Sequence, residues 1–398
     1  MRAASLGTAL LATTAAQGLA TFTVFVLPVL APQAAASLGV GAQLIGVQMA
    51  LVYGAAAFTS AVAGGALRRW GPARCTQLAL ASAAFACLAM ALGGLAGVVA
   101  GSLATGLGYG LTNPAATQVL ARLAPPARRN MVFAIKQTGV PLGGALAGLA
   151  LPTLAAWLGW RGAALASGAA IAGLTLAYAP LRPHWDAERD ATSPLRAGSG
   201  GGLRALREQP GLLGLAVCGG CYSGIQLAMG AFMVTMLVAE FGWTPVAAGL
   251  ATAVVQVAGA AARIGWGWVA DRSGSGLRTL AAIGVLTVAC TLLIPLALGW
   301  PQAAVLALLA ALGFCAAGWN GVLMAEVARL AAPGRAGEAA GGALVLSFGG
   351  VVVGPALLAA LVGAVGSYAL AFALLAALPL AGAVVAWRTE ARPRATRP

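Results

Sequence analysis

Long apolar stretches alternate with short polar ones along the whole chain. The apolar runs cover roughly 6–30, 43–66, 75–95, 97–122, 131–157, 162–181, 210–239, 245–270, 277–298, 301–330, 340–365 and 367–388. A helix needs about 20 apolar residues to cross the hydrocarbon of a bilayer, so each run predicts one transmembrane helix, twelve in all. Gly, Ala and Pro are frequent inside the runs, as expected where helices approach closely in lipid. The longest polar stretch, 182–209, holds Asp186, Glu188, Arg189, Asp190 and a Gly/Ser-rich piece. It divides the helices six and six and reads as a flexible linker. The predicted fold is an all-α membrane protein of two pseudo-symmetric six-helix bundles, 1–181 and 210–398, joined by the cytoplasmic linker 182–209. The first run is longer than a signal-peptide core and predicts a retained helix.

Composition supports this pattern. Apolar residues make up 60% of the chain and charged residues 8%, against about 25% charged in a soluble domain. So few charges cannot cover a water-facing surface, but they suffice where most of the surface faces lipid. The net charge of +14 suggests nucleic acid only until the charges are placed. Basic residues sit between the apolar runs, with no interleaved aromatics, which is a topology signal and not a basic groove. With the N-terminus inside, the inside segments hold Arg2, Arg68, Arg69, Arg74, Arg122, Arg128, Arg129, Arg182, Arg189, Arg196, Arg204, Arg207, Arg272, Arg278, Arg329, Arg335, Arg388, Arg392, Arg394 and Arg397. Outside loops hold only Arg161. The positive-inside rule therefore predicts both termini in the cytoplasm, here of a bacterial inner membrane. The two basic residues left over, Lys136 and Arg263, fall inside predicted helices.

The halves repeat. GLGYGLTNPAATQVLARLAP, starting at Gly106, aligns with GFCAAGWNGVLMAEVARLAA, starting at Gly313, and matches Asn113 to Asn320. Gly64–Gly71 aligns with Gly267–Gly274, and Gly139-Val140 with Gly350-Val351. Duplication of this kind is a transporter signature, with the solute site near the midplane.

The second copy of the loop reads Gly267-Trp-Val-Ala-Asp271-Arg272-Ser-Gly274. It resembles the G-x-x-x-D-R-x-G signature of the major facilitator superfamily, and the six-plus-six layout extends the resemblance over nearly the whole chain. The first copy keeps Gly64, Arg69 and Gly71 but has Arg68 at the acidic position. The glycines permit a tight turn and close helix approach. Asp271 is suited to accept from helix N-terminal amides or to pair with an Arg, locking one state of a carrier. Gly267, Asp271, Arg272, Gly274, Arg69 and Gly71 are therefore the candidate conformational residues. The loss of the acid at Arg68 leaves the first-half latch open to question. Signatures of proton-coupled drug exporters are incomplete. The arginine expected in helix four falls near Ser102, and helix five has only Gly139-Val-Pro141-Leu-Gly143-Gly144. Close packing accounts for these glycines without an antiport role.

Lys136 is the only lysine in the chain. It lies in helix five, and Arg263 lies in helix eight, eight residues before Asp271. A charge inside a membrane costs on the order of 2.5–3.5 kcal/mol or more and usually faces a cavity or a partner. Their repeat counterparts are Ser347 and Ser60, so the charges are not products of symmetric scaffolding. The pair predicts an anion site, with carboxylate favoured because Arg binds it bidentately and Lys adds a point charge. The plain alternatives are a structural ion pair or snorkelling for Arg263 and snorkelling for Lys136. An Arg at this place also resembles the monocarboxylate and oxalate/formate branches of the superfamily. Further candidates are Gln137 beside the lysine, Gln17 on helix one with Thr13, Thr14 and Thr21, Tyr109 and Asn113 on helix four, Tyr222 and Gln226 on helix seven, and Trp319 and Asn320 on helix ten. Glu326 precedes Arg329 by three and predicts a local ion pair.

These residues predict a secondary transporter for a small organic anion, working by alternating access as a monomer, with proton coupling, exchange for a counter-anion and uniport all left open. No cofactor or metal is expected: Cys218 and Cys221 lie mid-helix without further ligands, and the single His184 sits in the polar linker. The rival readings are an exporter of hydrophobic or cationic compounds, which predicts acids and more aromatics in the cavity, and a membrane ligand sensor, which predicts an added soluble domain. An enzyme is the least favoured reading, since the sequence shows no nucleophile–base constellation, phosphate loop or metal cluster.

Overall fold

The computed structural model describes residues 5–40, 44–195, 201–209 and 211–391. Arg2, Arg196, Arg392, Arg394 and Arg397, used above for topology, lie outside them. The described residues form helices and no strand: α1 (Leu6–Leu38), α2 (Leu44–Trp70), α3 (Pro72–Leu92), α4 (Gly94–Leu123), α5 (Arg129–Gln137), α6 (Gly139–Leu176), α7 (Arg182–Trp185) and α8 (Gly201–Glu208), then α9 (Leu212–Ala239), α10 (Pro245–Ser273), α11 (Gly276–Leu293), α12 (Gln302–Ala317), α13 (Trp319–Leu330), α14 (Ala336–Val365), α15 (Tyr368–Leu375) and α16 (Ala377–Ala391).

Every predicted run falls on helix. Ten described stretches are long and apolar enough to cross a membrane. One of them, Pro126–Trp185, contains two predicted runs, and Gly159 at φ +68° marks the turn between those two. α10 covers the remaining run. Leu11, Leu149, Trp157, Leu176 and Val257 are exposed. Side chains of this kind outside a helical protein suit a lipid environment. Three runs differ from single rods. Helix breaks at Thr138, Gly318 and Ala376 divide the runs predicted over 131–157, 301–330 and 367–388.

The helices gather into two compact units. Unit 1 consists of Met1–Ala124, Ile135–Glu208 and Ala331–Val345. Its core packs Phe22, Val26, Leu80, Met90, Leu151, Trp160 and Ile171. α1 meets α6 along a glycine seam: a Cβ on Gly143 would fall on the backbone of Gly18, and one on Gly139 would fall on the carbonyl of Thr14. Side chains are absent there so that two backbones can touch, the small-residue mode of packing in membranes. Unit 2 consists of Pro125–Ala134, Gln209–Leu330 and Leu346–Pro398. Ile225, Met229, Met233, Val255, Leu309, Leu358 and Phe372 form its core. The seam recurs between α9 and α14, where Gly220 opposes Gly350 and Gly224 opposes Gly354. The glycines predicted as packing residues in helix five thus have counterparts at Gly350 and Gly354 of α14.

The stretch read as a flexible linker is partly folded. α7 and α8 both lie in it, Trp185 and Asp186 are buried, and Ala205 and Leu206 of α8 are buried as well. A Gly/Ser-rich composition hid two short amphipathic segments. His184 belongs to α7.

Candidate functional site

Lys136 occupies the last turn of α5. The amide of Thr138 bonds the carbonyl of Ile135 at 3.0 Å, a three-residue step that interrupts the α-helical ladder before α6 begins. The C-terminal end of a helix carries partial negative charge, which favours a cation there. The side chain is 2% exposed. Its ammonium donates to Gln17 Oε1 of α1 at 2.7 Å and to Asn113 Oδ1 of α4. Both acceptors are neutral amides, so they fix the ammonium through dipoles and add no charge. Gln17 in turn donates to Thr21 Oγ1 at 3.4 Å. Three predicted residues from three helices therefore meet at one point. The glycine seam explains how, because contact of α1 with the Gly139–Gly143 backbone carries Gln17 beside the preceding turn.

Tyr109 lies one turn before Asn113 on α4 and stands edge-on to Tyr53 of α2, centroids 6.3 Å apart. Gln137 is buried. Thr13 bonds the carbonyl of Ala9 in its own helix at 2.7 Å, whereas Thr14 Oγ1 is buried without a partner. Sequence reasoning missed Tyr53 and Gln48. Both amide atoms of buried Gln48 lack a hydrogen-bond partner. Its signal was available, since it is an amide in the apolar run LIGVQMALVYG.

In unit 2 the helix break at Gly318 sets Trp319 at the start of α13. Its indole donates to Gln226 Oε1 at 3.0 Å. Tyr222 lies edge-on to Trp319 at 6.0 Å, and its hydroxyl donates to the carbonyl of Leu280 at 2.7 Å. The Tyr222 ring packs against Gly284 and Gly382, between α11 and α16. Asn320 is half-buried at the second position of α13. Arg263 of α10 is 5% exposed and stands eight residues, about 12 Å along the axis at 1.5 Å per residue, before Asp271. Glu326 forms the expected ion pair with Arg329, at 2.5 Å.

The Asp271 carboxylate accepts from the amides of Asn130 at 3.0 Å and Met131 at 2.9 Å, and from Asn130 Nδ2 at 2.8 Å. It thus sits on the first turn of α5, where orphan amides and the positive dipole end favour an anion. Gly267 lets the backbone of α10 approach Asn130 and Ala134, and Gly274 caps α10 at φ +67°. Arg272 turns over the Trp268 ring, 5.5 Å from its centroid.

Unit 1 solves the same problem with reversed charge. Arg68 Nη1 donates at 3.1 Å to Glu338 Oε2 in the first turn of α14, an oxygen that also accepts from Arg335 at 2.7 Å. Arg69 reaches the carbonyl of Ser193 at 3.4 Å. The helix N-terminus in this loop belongs to α3 and receives Asp186, which accepts from the amides of Ala73 at 2.7 Å and Arg74 at 3.3 Å. Gly71, at φ +85°, leaves the room, since a Cβ there would collide with the Asp186 carboxylate. Burial pushes the Asp186 carboxyl above the usual aspartate range, opposed by those two amides and by Arg74 and Arg182. Sequence reasoning did not foresee Glu338 or Asp186 in these places, because each lies far along the chain from its partner.

Comparison with known proteins bears on this arrangement. Residues 13–355 and 227–398 match the profile of the Major Facilitator Superfamily. A relative, the uncharacterised MFS-type transporter MT3072 of Mycobacterium tuberculosis (strain CDC 1551 / Oshkosh), is 26% identical over 282 residues. That match spans 69% of this chain and 61% of the relative's length. Among solved structures, the E. coli fucose:proton symporter FucP superposes with a TM-score of 0.77 at 15% identity, over 97% of this chain and 99% of that one. The human organic anion transporter MFSD10 (TETRAN) gives 0.73 at 17% identity, covering 95% and 99%. The proton:xylose symporter XylE gives 0.75 at 16% identity, covering 96% and 95%. By profile match over most of its length, and with a helical fold shared with these carriers, the chain belongs to the major facilitator superfamily, a family of multi-pass membrane transporters.

Proposed function

We propose that this transporter carries a small organic carboxylate by alternating access. The observation that supports it is Lys136, a cation buried within a membrane-spanning unit and held by two neutral amides. Such a charge costs on the order of 2.5–3.5 kcal/mol or more to keep in the membrane interior. A carboxylate bound beside it offsets part of that cost. In unit 1 the proposed substrate residues are Lys136, Gln17, Asn113, Gln137 and Tyr109. In unit 2 they are Arg263, Gln226, Trp319 and Asn320, where the first amides of α13 add a positive dipole end suited to an anion. Tyr222 is assigned a packing role, because its hydroxyl is engaged by Leu280. Asp271, Arg272, Gly267, Gly274, Arg69 and Gly71 are proposed to hold one state of the transport cycle.

Solved carriers of this fold include ones named for sugars and for organic anions. The fold therefore leaves the solute open, and the basic residues favour an anion. The arginine-rich ends are taken as cytoplasmic, with the protein in a bacterial cell membrane acting as a monomer. A proton or a second anion is the proposed coupling partner. The test is uptake of labelled mono- and dicarboxylates, a neutral sugar and an organic cation into proteoliposomes. Saturable carboxylate flux that excess unlabelled carboxylate suppresses supports the proposal. Flux of the sugar or the cation alone refutes it.

A further inference from the structure

Unit 1 contains a polar cavity, of about 200 Å³, that shares no lining residue with the Lys136 cluster. The end of α2, the start of α3, the end of α4, the residues around the end of α7 and the start of α14 enclose it. Arg68, Arg122, Arg189 and Arg335 line it, with Trp185 and Glu338. Glu188 is the second acid of the wall, so guanidinium groups outnumber carboxylates by two. Both acids are already engaged: Glu188 pairs with Arg122 at 3.0 Å, and one oxygen of Glu338 serves Arg68 and Arg335. Arg189 is exposed, and the excess of guanidinium groups over carboxylates in the wall keeps the site cationic.

Two buried atoms of the wall have no hydrogen-bond partner among the described residues. They are the indole Nε1 of Trp185 and Oε1 of Glu338, in residues 4% and 3% exposed. Leaving such groups unbonded is costly. One is a donor and the other an acceptor. A matching ligand is an anion for the arginines, accepts from the indole, and donates a proton to a carboxylate oxygen. Carboxylates and sulfate carry no proton near neutral pH. Inorganic phosphate and phosphate monoesters retain one for part or all of that range. We infer that this cavity binds a protonated phosphate group, held by Arg122, Arg189 and Trp185 and selected against sulfate by Glu338. The phosphate comes either from solution or from the headgroup of a phosphomonoester lipid.

The experiment uses the purified full chain. Calorimetric titration in detergent compares inorganic phosphate with sulfate at equal ionic strength. Thermal midpoints compare nanodiscs of phosphatidylcholine with and without phosphatidic acid. Phosphate is expected to bind about tenfold or more tighter than sulfate. Arg122→Gln/Arg189→Gln should lose about tenfold or more of that affinity, and Arg207→Gln/Arg388→Gln, which removes equal charge elsewhere, should keep it. Glu338→Gln should collapse the preference over sulfate. Trp185→Phe, which retains the ring, should weaken binding and provides the test if the double variant aggregates. Binding of inorganic phosphate identifies a soluble source. A midpoint rise seen only with phosphatidic acid, and lost in Arg122→Gln/Arg189→Gln or Trp185→Phe, identifies the headgroup. The site is overturned if neither ligand binds, or if phosphate and sulfate bind alike and both pairs of arginine substitutions weaken them equally.

Discussion

Replacing Lys136 by methionine keeps the length of the side chain and removes its charge and donors. Two effects on stability oppose each other. Taking a charge out of the membrane interior relieves about 2.5–3.5 kcal/mol. Gln17 Oε1 and Asn113 Oδ1 then lose the donor they share, at about 1–3 kcal/mol for each buried acceptor. The sum runs from about 1.5 kcal/mol stabilising to about 3.5 kcal/mol destabilising, so the melting midpoint should move by only a few degrees. Solute binding has no such compensation. A charge-assisted bond to a carboxylate contributes about 1.5–3 kcal/mol, and its loss weakens the dissociation constant by about 10- to 150-fold. Calorimetry with the transported carboxylate, alongside the melting midpoint of the same preparation, separates the two. Lys136→Arg should recover part of the affinity, because the charge returns without the geometry of the two amides. A methionine variant that melts like the wild type and binds the carboxylate within twofold of it would refute the role given to Lys136.

Four further outcomes follow from the geometry. Asp271→Ala should lower stability by about 1–2 kcal/mol through loss of its bonds to the first turn of α5, while Asp271→Asn, which keeps an acceptor, should lose less than half of that; midpoints measure both. Glu338→Gln should cost about 1–3 kcal/mol, discounted because Arg68 and Arg335 are each about one-third exposed. The swap Arg68→Glu/Glu338→Arg should recover only part of this, since Arg335 then faces a like charge, and a double-mutant cycle reads the difference. Gly143→Val should separate α1 from α6 at about 1–3 kcal/mol or more and weaken carboxylate binding as well, because the seam positions Gln17. Asp186 titrates with the opposite sign to most structural carboxylates. Its folded value lies above its unfolded one, so its stabilising contribution is present at low pH and falls away as pH rises through the acidic range. Asp186→Asn should flatten that decline in midpoints measured from acid to neutral pH.

Hydropathy and the repeat made the helical layout legible. Lipid-facing helices must be apolar along their whole length, and twelve such runs stand out in any reading. The polar residues inside those runs were legible as candidates for the same reason, and Lys136, Asn113 and Gln17 do meet. Their mutual contact was not legible, because it depends on a glycine seam whose partner helices are more than 100 residues apart. The helix breaks at Thr138 and Gly318 were also hidden. Each lies within a continuous apolar run, and periodicity does not register a single three-residue hydrogen-bond step. Asp186 shows a third limit. It reads as one charge among several in a polar linker, and only the fold brings it to the first turn of α3.

In each unit a helix break adjoins two of the proposed substrate residues. One follows Lys136 and Gln137, and the other precedes Trp319 and Asn320. At each, a three-residue bond takes the place of the usual four-residue one, 3.0 Å at Thr138 and 3.4 Å at Gly318. Such a step releases main-chain carbonyls from the ladder. Irregular backbone at membrane depth is tolerated where it borders a hydrated space. The consequence concerns the hydration of the solute. The proposed carboxylate, leaving bulk water, would exchange its solvent shell stepwise for waters held by those carbonyls, each donating one hydrogen to a carbonyl and the other to the anion, and would never meet bare hydrocarbon. The barrier to entry is then set by how many shell waters must be shed at once, which makes the rate sensitive to solute hydration as well as to charge.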